Sequence, residues 1–292
     1  MNLMRYQKLF FTISLFFLIP GFLSLVFVGL KPAIDFTGGS LLELQFADQE
    51  NGLSQEQVTE IRDILREEYD FSVVQSAGGD RLVLKGKELD NQQKDELISD
   101  LSALYGQVGI LRFETVGPIL GKELIQKTIV AVIVVATVIT LYVWRQFKDL
   151  KYGICAILAM LHDSLFLLGS FSLLGFFFGV EVDLLFVTAL LTTMSFSIHD
   201  TIVVYDRIRE LGRKNPRASF AQIANEAVVV TLSRSINNSM TIIIMLLSLV
   251  VIGGETIRWF AVALLLGAIT GTYSSPFTAV PLLLLFSQPK KN

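Results

Sequence analysis

"SFSIHDTIVVYDRIRE", Ser195–Glu210, opens in an apolar run and closes in a run of charges. Asp200 stands inside the apolar part. Its flanks read as a membrane-spanning helix, where an ionised aspartate at the centre costs about 2.5–3.5 kcal/mol on insertion scales. The carboxylate must find a partner, take up a proton or meet water. The rest of the chain supports the membrane reading. Of its 292 residues 52% are hydrophobic and 22 are Phe, and the mean hydropathy is +0.58. Soluble domains rarely carry so much apolar surface.

Six segments are long enough to cross about 30 Å of hydrocarbon. They are Leu9–Val28, then runs centred on Ile129–Trp144 and Ile154–Leu174, then about Leu184–Tyr205, Ser235–Gly253 and Trp259–Phe286, the last broken near Pro276. The first follows Arg5 and Lys8 but is too long for a signal peptide and lacks a cleavage pattern, so it reads as an uncleaved anchor. Lys and Arg set the orientation. Arg145, Lys148 and Lys151 follow the second run, Arg207, Arg209, Arg213, Lys214 and Arg217 follow the fourth, and Lys290 and Lys291 close the chain. The alternate connections contribute only Arg258. Both termini are therefore expected to be cytoplasmic, in a multi-pass membrane protein.

The domain reading is one helix in 1–30, an outer domain in 31–121, and helices two to six in 122–292. The outer insert reads strand, helix, strand, strand, helix, strand. "SLLELQF" alternates as a strand does, and "SQEQVTEIRDILREEY" opens on a Ser54/Gln57 capping box with Val58, Ile61, Leu65 and Tyr69 on one face. "FSVVQSA" and "RLVLKG" flank a Gly78-Gly79-Asp80 turn. "NQQKDELISDLSALYG" places Leu97, Leu101 and Leu104 in register, and "VGILRFETV" is the last strand. That order predicts a ferredoxin-like α+β domain. The fold class is thus a polytopic α-helical membrane protein with one such domain. In the connection of about 206–233, a Ser219/Gln222 capping box predicts a short cytoplasmic interfacial helix.

Thr193, Ser197 and Asp200 form a polar stripe on the fourth span; Arg234, Asn237, Asn238 and Thr241 form another on the fifth. The two spans run antiparallel, and both charges fall in their cytoplasmic halves, so Asp200 and Arg234 are expected at matching depth as a charge pair. Arginine stays protonated, which leaves Asp200 as the titrating member. Asp163, preceded by His162, sits near the middle of the third span and is a second candidate for a proton path. His199 points about 100° away from Asp200. It has no His-x-x-x-His or Glu partner, so no metal is expected, and no cofactor either. The small residues from Gly267 to Gly271, followed by Ser275, predict close helix packing. A single cysteine, Cys155, excludes a disulfide framework, and a net charge of −3 offers no stripe for nucleic acid.

These strings bear a likeness to a known family. "SIHDTIVVYDRIRE" resembles the "SINDTIVVFDRIRE" signature of the SecD/SecF family of bacterial protein export, within the resistance-nodulation-division superfamily. "DFTGG" (Asp35–Gly39), "LHD" (Leu161–Asp163), "TLSRSIN" (Thr231–Asn237) and "GTYSS" (Gly271–Ser275) fall where SecF chains carry similar strings. His199 is a departure, since Asn is usual there; Asn238 and Pro276 are smaller ones. The resemblance implies a non-enzymatic accessory subunit that pairs with a SecD-like chain. It implies coupling of the proton gradient to movement of the outer domain, promoting export of unfolded polypeptide through SecYEG after the SecA ATPase step. YajC and membrane lipids are further implied partners. Asp200 and Arg234 match the family's positions for proton-coupled movement. The alternative is a proton-coupled exporter of small molecules or lipids from the same superfamily. Such chains commonly carry a second outer domain, where this sequence has only the short connection of about Gly175–Asp183.

Overall fold

The computed structural model describes residues 2–47, 53–69, 71–76, 79–147 and 149–287. Gly78 of the expected turn and the basic residues Lys148, Lys290 and Lys291 lie outside the described residues. The chain divides into two compact units, an α+β unit of Pro32–Ile129 and a helical unit of Met1–Lys31 with Val130–Asn292.

The first span is α1 (Gln7–Phe27), entered by a 3₁₀ turn at Leu3–Tyr6. In the α+β unit a one-turn helix α2 (Ile34–Thr37) precedes β1 (Gly39–Phe46). Then come α3 (Gln55–Glu68), β2 (Phe71–Ser76), β3 (Arg81–Gly86), α4 (Asn91–Tyr105) and β4 (Val108–Val116). The element order is the one expected. The sheet runs β2-β3-β1-β4 with every neighbour antiparallel, the result of interleaving two β-α-β units. Alternation gives the sheet one buried face. Leu42 and Leu84 pair across β1 and β3, as do Leu44 and Leu82, and all four are fully buried. Ile61 and Leu65 of α3 and Leu97 and Leu101 of α4 cover that face.

Both helices start on reciprocal capping boxes, Ser54/Gln57 and Asp90/Gln93. Leu104, placed inward by its spacing, is exposed instead. Tyr105 takes the inner position with its ring edge-on to Phe46, 6.2 Å between centroids. Gly38 and Gly39 join α2 to β1 with φ of +75° and +115°, the region open to glycine. A Cβ on Gly39 would lie 2.4 Å from the Gly86 carbonyl oxygen. Leu84→Ala, which empties the middle of this core, is expected to destabilise the α+β unit by about 2–5 kcal/mol. Amide exchange on the full chain reads this as faster opening of β1 and β3, with the helical unit unchanged.

The helical unit continues with α5 (Pro118–Phe147), α6 (Leu150–Phe178), α7 (Leu184–Lys214), α8 (Phe220–Ile252) and α9 (Glu255–Ser274). A π-turn at Ser275–Ala279 and α10 (Val280–Ser287) complete it. Among the described residues six helices are long and apolar enough to cross a membrane. The expected interruption of the last span is present: the π-turn contains Pro276, whose missing N–H cannot sustain an α-helical ladder. The domain boundary falls within α5, later than the expected 121, because that helix starts in one unit and ends in the other.

The separate interfacial helix is not formed. Its capping box is real, with Gln222 N–H bonded to Ser219 Oγ at 3.3 Å, but no breaker follows it. The segment is therefore the first turns of α8, and Ile223, Ala224, Ala227 and Val228 enter the core of the bundle. The small-residue expectation holds. A Cβ on Gly267 of α9 would lie 1.9 Å from Thr193 Cγ2 of α7. A second close crossing had no flagged signal: a Cβ on Gly169 of α6 would meet the Gly21 carbonyl carbon of α1 at 2.7 Å.

Candidate functional site

Two apolar clusters fill the helical unit. On α6 one ends at Met160 and the other begins at Leu167; on the last span one ends at Ala263 and the other resumes at Ala279. The polar residues fall in the gaps between them. Asp163 is 4% exposed and Asp200 7%. Carboxylates at such depth persist only with hydrogen-bond donors around them.

Asp163 has two partners. His162 Nδ1 lies 2.9 Å from Oδ1, and Ser274 Oγ donates to Oδ2 at 2.5 Å. His162 Nε2 is buried with no hydrogen-bond partner among the described residues. Asp200 accepts from Ser235 Oγ on α8. The next hydroxyl on α7, Thr201, sits 2.9 Å from Ser275 Oγ. Ser239 on α8 accepts from Thr272 Oγ1 of α9 at 2.6 Å. Tyr205, fully buried, donates its hydroxyl to the Ala279 carbonyl at 2.8 Å. A belt of hydroxyls thus links α6, α7, α8 and α9 at the level of the two carboxylates.

The expected ion pair is a correction. Among the described residues no ion pair joins Asp200 to Arg234, and Arg234 is exposed. Ser235, Ser239 and Leu246 form the buried ridge of α8. Arg234 is one residue and so about 100° off that ridge. It lines a cavity of about 460 Å³ with Val203, Asp206, Arg207, Glu210, Val230 and Thr231. Asn237, Asn238 and Thr241 share its exposure, so the stripe read on the fifth span faces out of this chain. Among the described residues Thr241 Oγ1 bonds only back to the Asn238 carbonyl, at 2.7 Å. Ser197 is buried with an unpartnered hydroxyl among the described residues, and His199 is exposed. The inward residues that sequence reasoning passed over are Ser235, Ser274, Thr201 and Tyr205. The signal for Ser235 was its i+4 spacing to Ser239; for Ser274 it was a serine pair ahead of Pro276 in an apolar run.

Fold and site together define a polytopic membrane protein whose helices bury ionisable groups and which carries one α+β unit. Comparison with known proteins places it further. Residues 97–289 match the family described as "Protein export membrane protein SecD/SecF, C-terminal", and residues 23–50 match the "SecD/SecF GG Motif". The protein translocase subunit SecF of Thermobaculum terrenum is 40% identical over 97% of this chain and 92% of its own length. That of Anaerolinea thermophila is 38% identical over 98% and 94%. The crystal structure of SecDF from Thermus thermophilus, a translocon-associated membrane protein, superposes with a TM-score of 0.84 at 31% identity, covering 98% of this chain. SecDF in its super-membrane-facing form gives 0.70. This chain spans 38% of that SecDF chain's length. The chain belongs to the SecD/SecF family.

Proposed function

We propose that this chain acts in protein export as a non-enzymatic subunit of a proton-driven accessory complex beside the SecYEG channel. Its place is the bacterial inner membrane with both termini cytoplasmic and the α+β unit outside. The curated relatives named protein translocase subunit SecF support the export role. The observation that carries proton coupling is Asp200, buried within its span with a serine hydroxyl, not a cation, in contact. A carboxylate so placed holds either charge state at moderate cost, because the same hydroxyl can donate to the anion or accept from the acid. Moving one charge through 100 mV supplies about 2.3 kcal/mol, enough to bias a two-state arrangement.

The outward stripe of Arg234, Asn237, Asn238 and Thr241 supports a SecD-like partner. Polar groups within a span do not face lipid, so a second bundle covers them, and Arg234 then acts at the junction of the two. The outer unit, about residues 31–121, is the part that moves and handles emerging unfolded polypeptide. SecA acts before this step, and YajC is an additional companion.

The test is export into inverted vesicles depleted of this chain and then resupplied with it, with and without an imposed proton gradient. The gradient should stimulate export only when the chain is present with its SecD-like partner. Equal stimulation in depleted vesicles would end the proposal. The same preparation, purified by affinity, should carry the SecD-like chain and the channel.

A further inference from the structure

We infer that Ser274 and Ser275 form a hydroxyl relay that carries the protonation state of Asp163 on α6 to the helix of Asp200. The inference rests on the proton-coupled reading above and adds to it the residues that connect the two carboxylates.

The geometry is a competition for one carbonyl. Gly271 O accepts the backbone N–H of Ser275, and it lies 3.1 Å from Ser275 Oγ and 3.3 Å from Ser274 Oγ. A carbonyl oxygen has two lone pairs, so three donors overload it. Ser274 escapes the competition by donating to Asp163 Oδ2 at 2.5 Å. Ser275 has its own second choices, the Ser197 carbonyl at 3.4 Å and Thr201 Oγ1 at 2.9 Å, both on α7 and flanking Asp200. A proton on Asp163 Oδ2 turns that oxygen from acceptor to donor. Ser274 then returns to Gly271 O, and Ser275 must lean further onto Ser197 and Thr201. The message passes from α6 to α7 through two hydroxyl rotations, with no covalent change beyond the proton on Asp163.

The relay sits at the entry to the π-turn, where the helix can shift without losing its span. Pro276 prevents the turn from relaxing into an α-helical ladder. Tyr205, at the Ala279 carbonyl, fixes the far end, and Thr278 Oγ1 lies 3.3 Å from Ser14 Oγ of α1. The surroundings of Asp163 hold few competitors. His162 is its titratable contact. Beyond Lys8, α1 brings no charged side chain, and α10 brings none. From α9 comes Tyr273, whose hydroxyl donates to the Phe10 carbonyl at 2.9 Å. From α7 come Asp200, bonded to Ser235, and His199, which is exposed.

Ser274 is therefore a positioning residue, and a double-mutant cycle separates that role from plain packing. Amide exchange at Phe277 and Thr278 is followed on the full chain in lipid nanodiscs for Ser274→Ala, Asp163→Ala, which removes the acceptor of the Ser274 hydroxyl, and the double variant. Gradient-stimulated export is measured beside it. Each single variant should raise π-turn exchange roughly tenfold, the scale of one buried hydrogen bond. The double variant should rise no further than Ser274→Ala, because both remove the same link. Ser274→Thr, which keeps the hydroxyl, should stay within about twofold of wild type on that scale. Unchanged exchange in Asp163→Ala, or additive effects in the double variant, would overturn the relay. Full gradient stimulation in Asp200→Asn would instead overturn the proton-coupled reading, whatever the exchange data show.

Discussion

Asp200→Asn is expected to abolish gradient-stimulated export while the chain still inserts and folds. The amide matches the carboxylate in size, and its oxygen still accepts from Ser235, so the contact to α8 survives. The substitution also removes the cost of burying a charge, about 2.5–3.5 kcal/mol at a span centre. Stability should therefore hold or rise, and the loss is one of chemistry. Ser235→Ala tests the same site from the other side. It leaves an ionised Asp200 without its donor, at about 1–3 kcal/mol. Stimulation should fall on the order of tenfold without vanishing. Arg234 gives the contrast, since its exposed guanidinium makes no ion pair with Asp200 among the described residues. Arg234→Lys, which keeps the charge, should retain more stimulation than Arg234→Met. Stimulation above half of wild type in Asp200→Asn would remove Asp200 from the mechanism.

That Asp200 and Arg234 stand at one level of their helices was readable from the sequence, since Ser235 beside Arg234 meets Asp200, but their facing was not. Six apolar runs and the alternation of "SLLELQF" locate spans and strands because burial leaves its period in the chain. The same period marks α8 ambiguously. Arg234, Asn237, Asn238 and Thr241 make a more conspicuous polar stripe than Ser235 and Ser239, yet the serines turn inward. A small hydroxyl admits the close approach of a neighbouring helix, and a long polar side chain does not. Hydropathy ranks serine as nearly neutral, so the residues that seat Asp200 and Asp163 carry little weight in any window. The charge pair failed for that reason. Matching depth was correctly read, but one residue along a helix is about 100° of rotation. The extension of α8 back to Phe220 was hidden differently: a capping box announces where a helix begins and says nothing of where it ends.

Gly267→Ala should be among the most disruptive single-methyl additions in the helical unit, and it should be reversible by one partner change. The added Cβ would sit 1.9 Å from Thr193 Cγ2 and 2.6 Å from Thr193 Cβ. Nothing so close is tolerated, so α7 and α9 must part at the level of the polar belt. The direct cost is about 1–3 kcal/mol or more for overpacking, and Leu in place of Ala should leave no folded protein in detergent. Thr193→Gly removes both clashing atoms. Alone it costs only about 0.3 kcal/mol in helix propensity, so the Gly267→Ala/Thr193→Gly double variant should recover most of the lost thermal stability. Gly169→Ala offers the opposite outcome. Its Cβ would meet Gly21 backbone atoms at 2.7 and 2.8 Å, and α1 has no side chain there to trim. No substitution at Gly21 should rescue it. Failure of the Thr193 rescue, or success of one at Gly21, would show that these helices do not cross as closely as their glycines require.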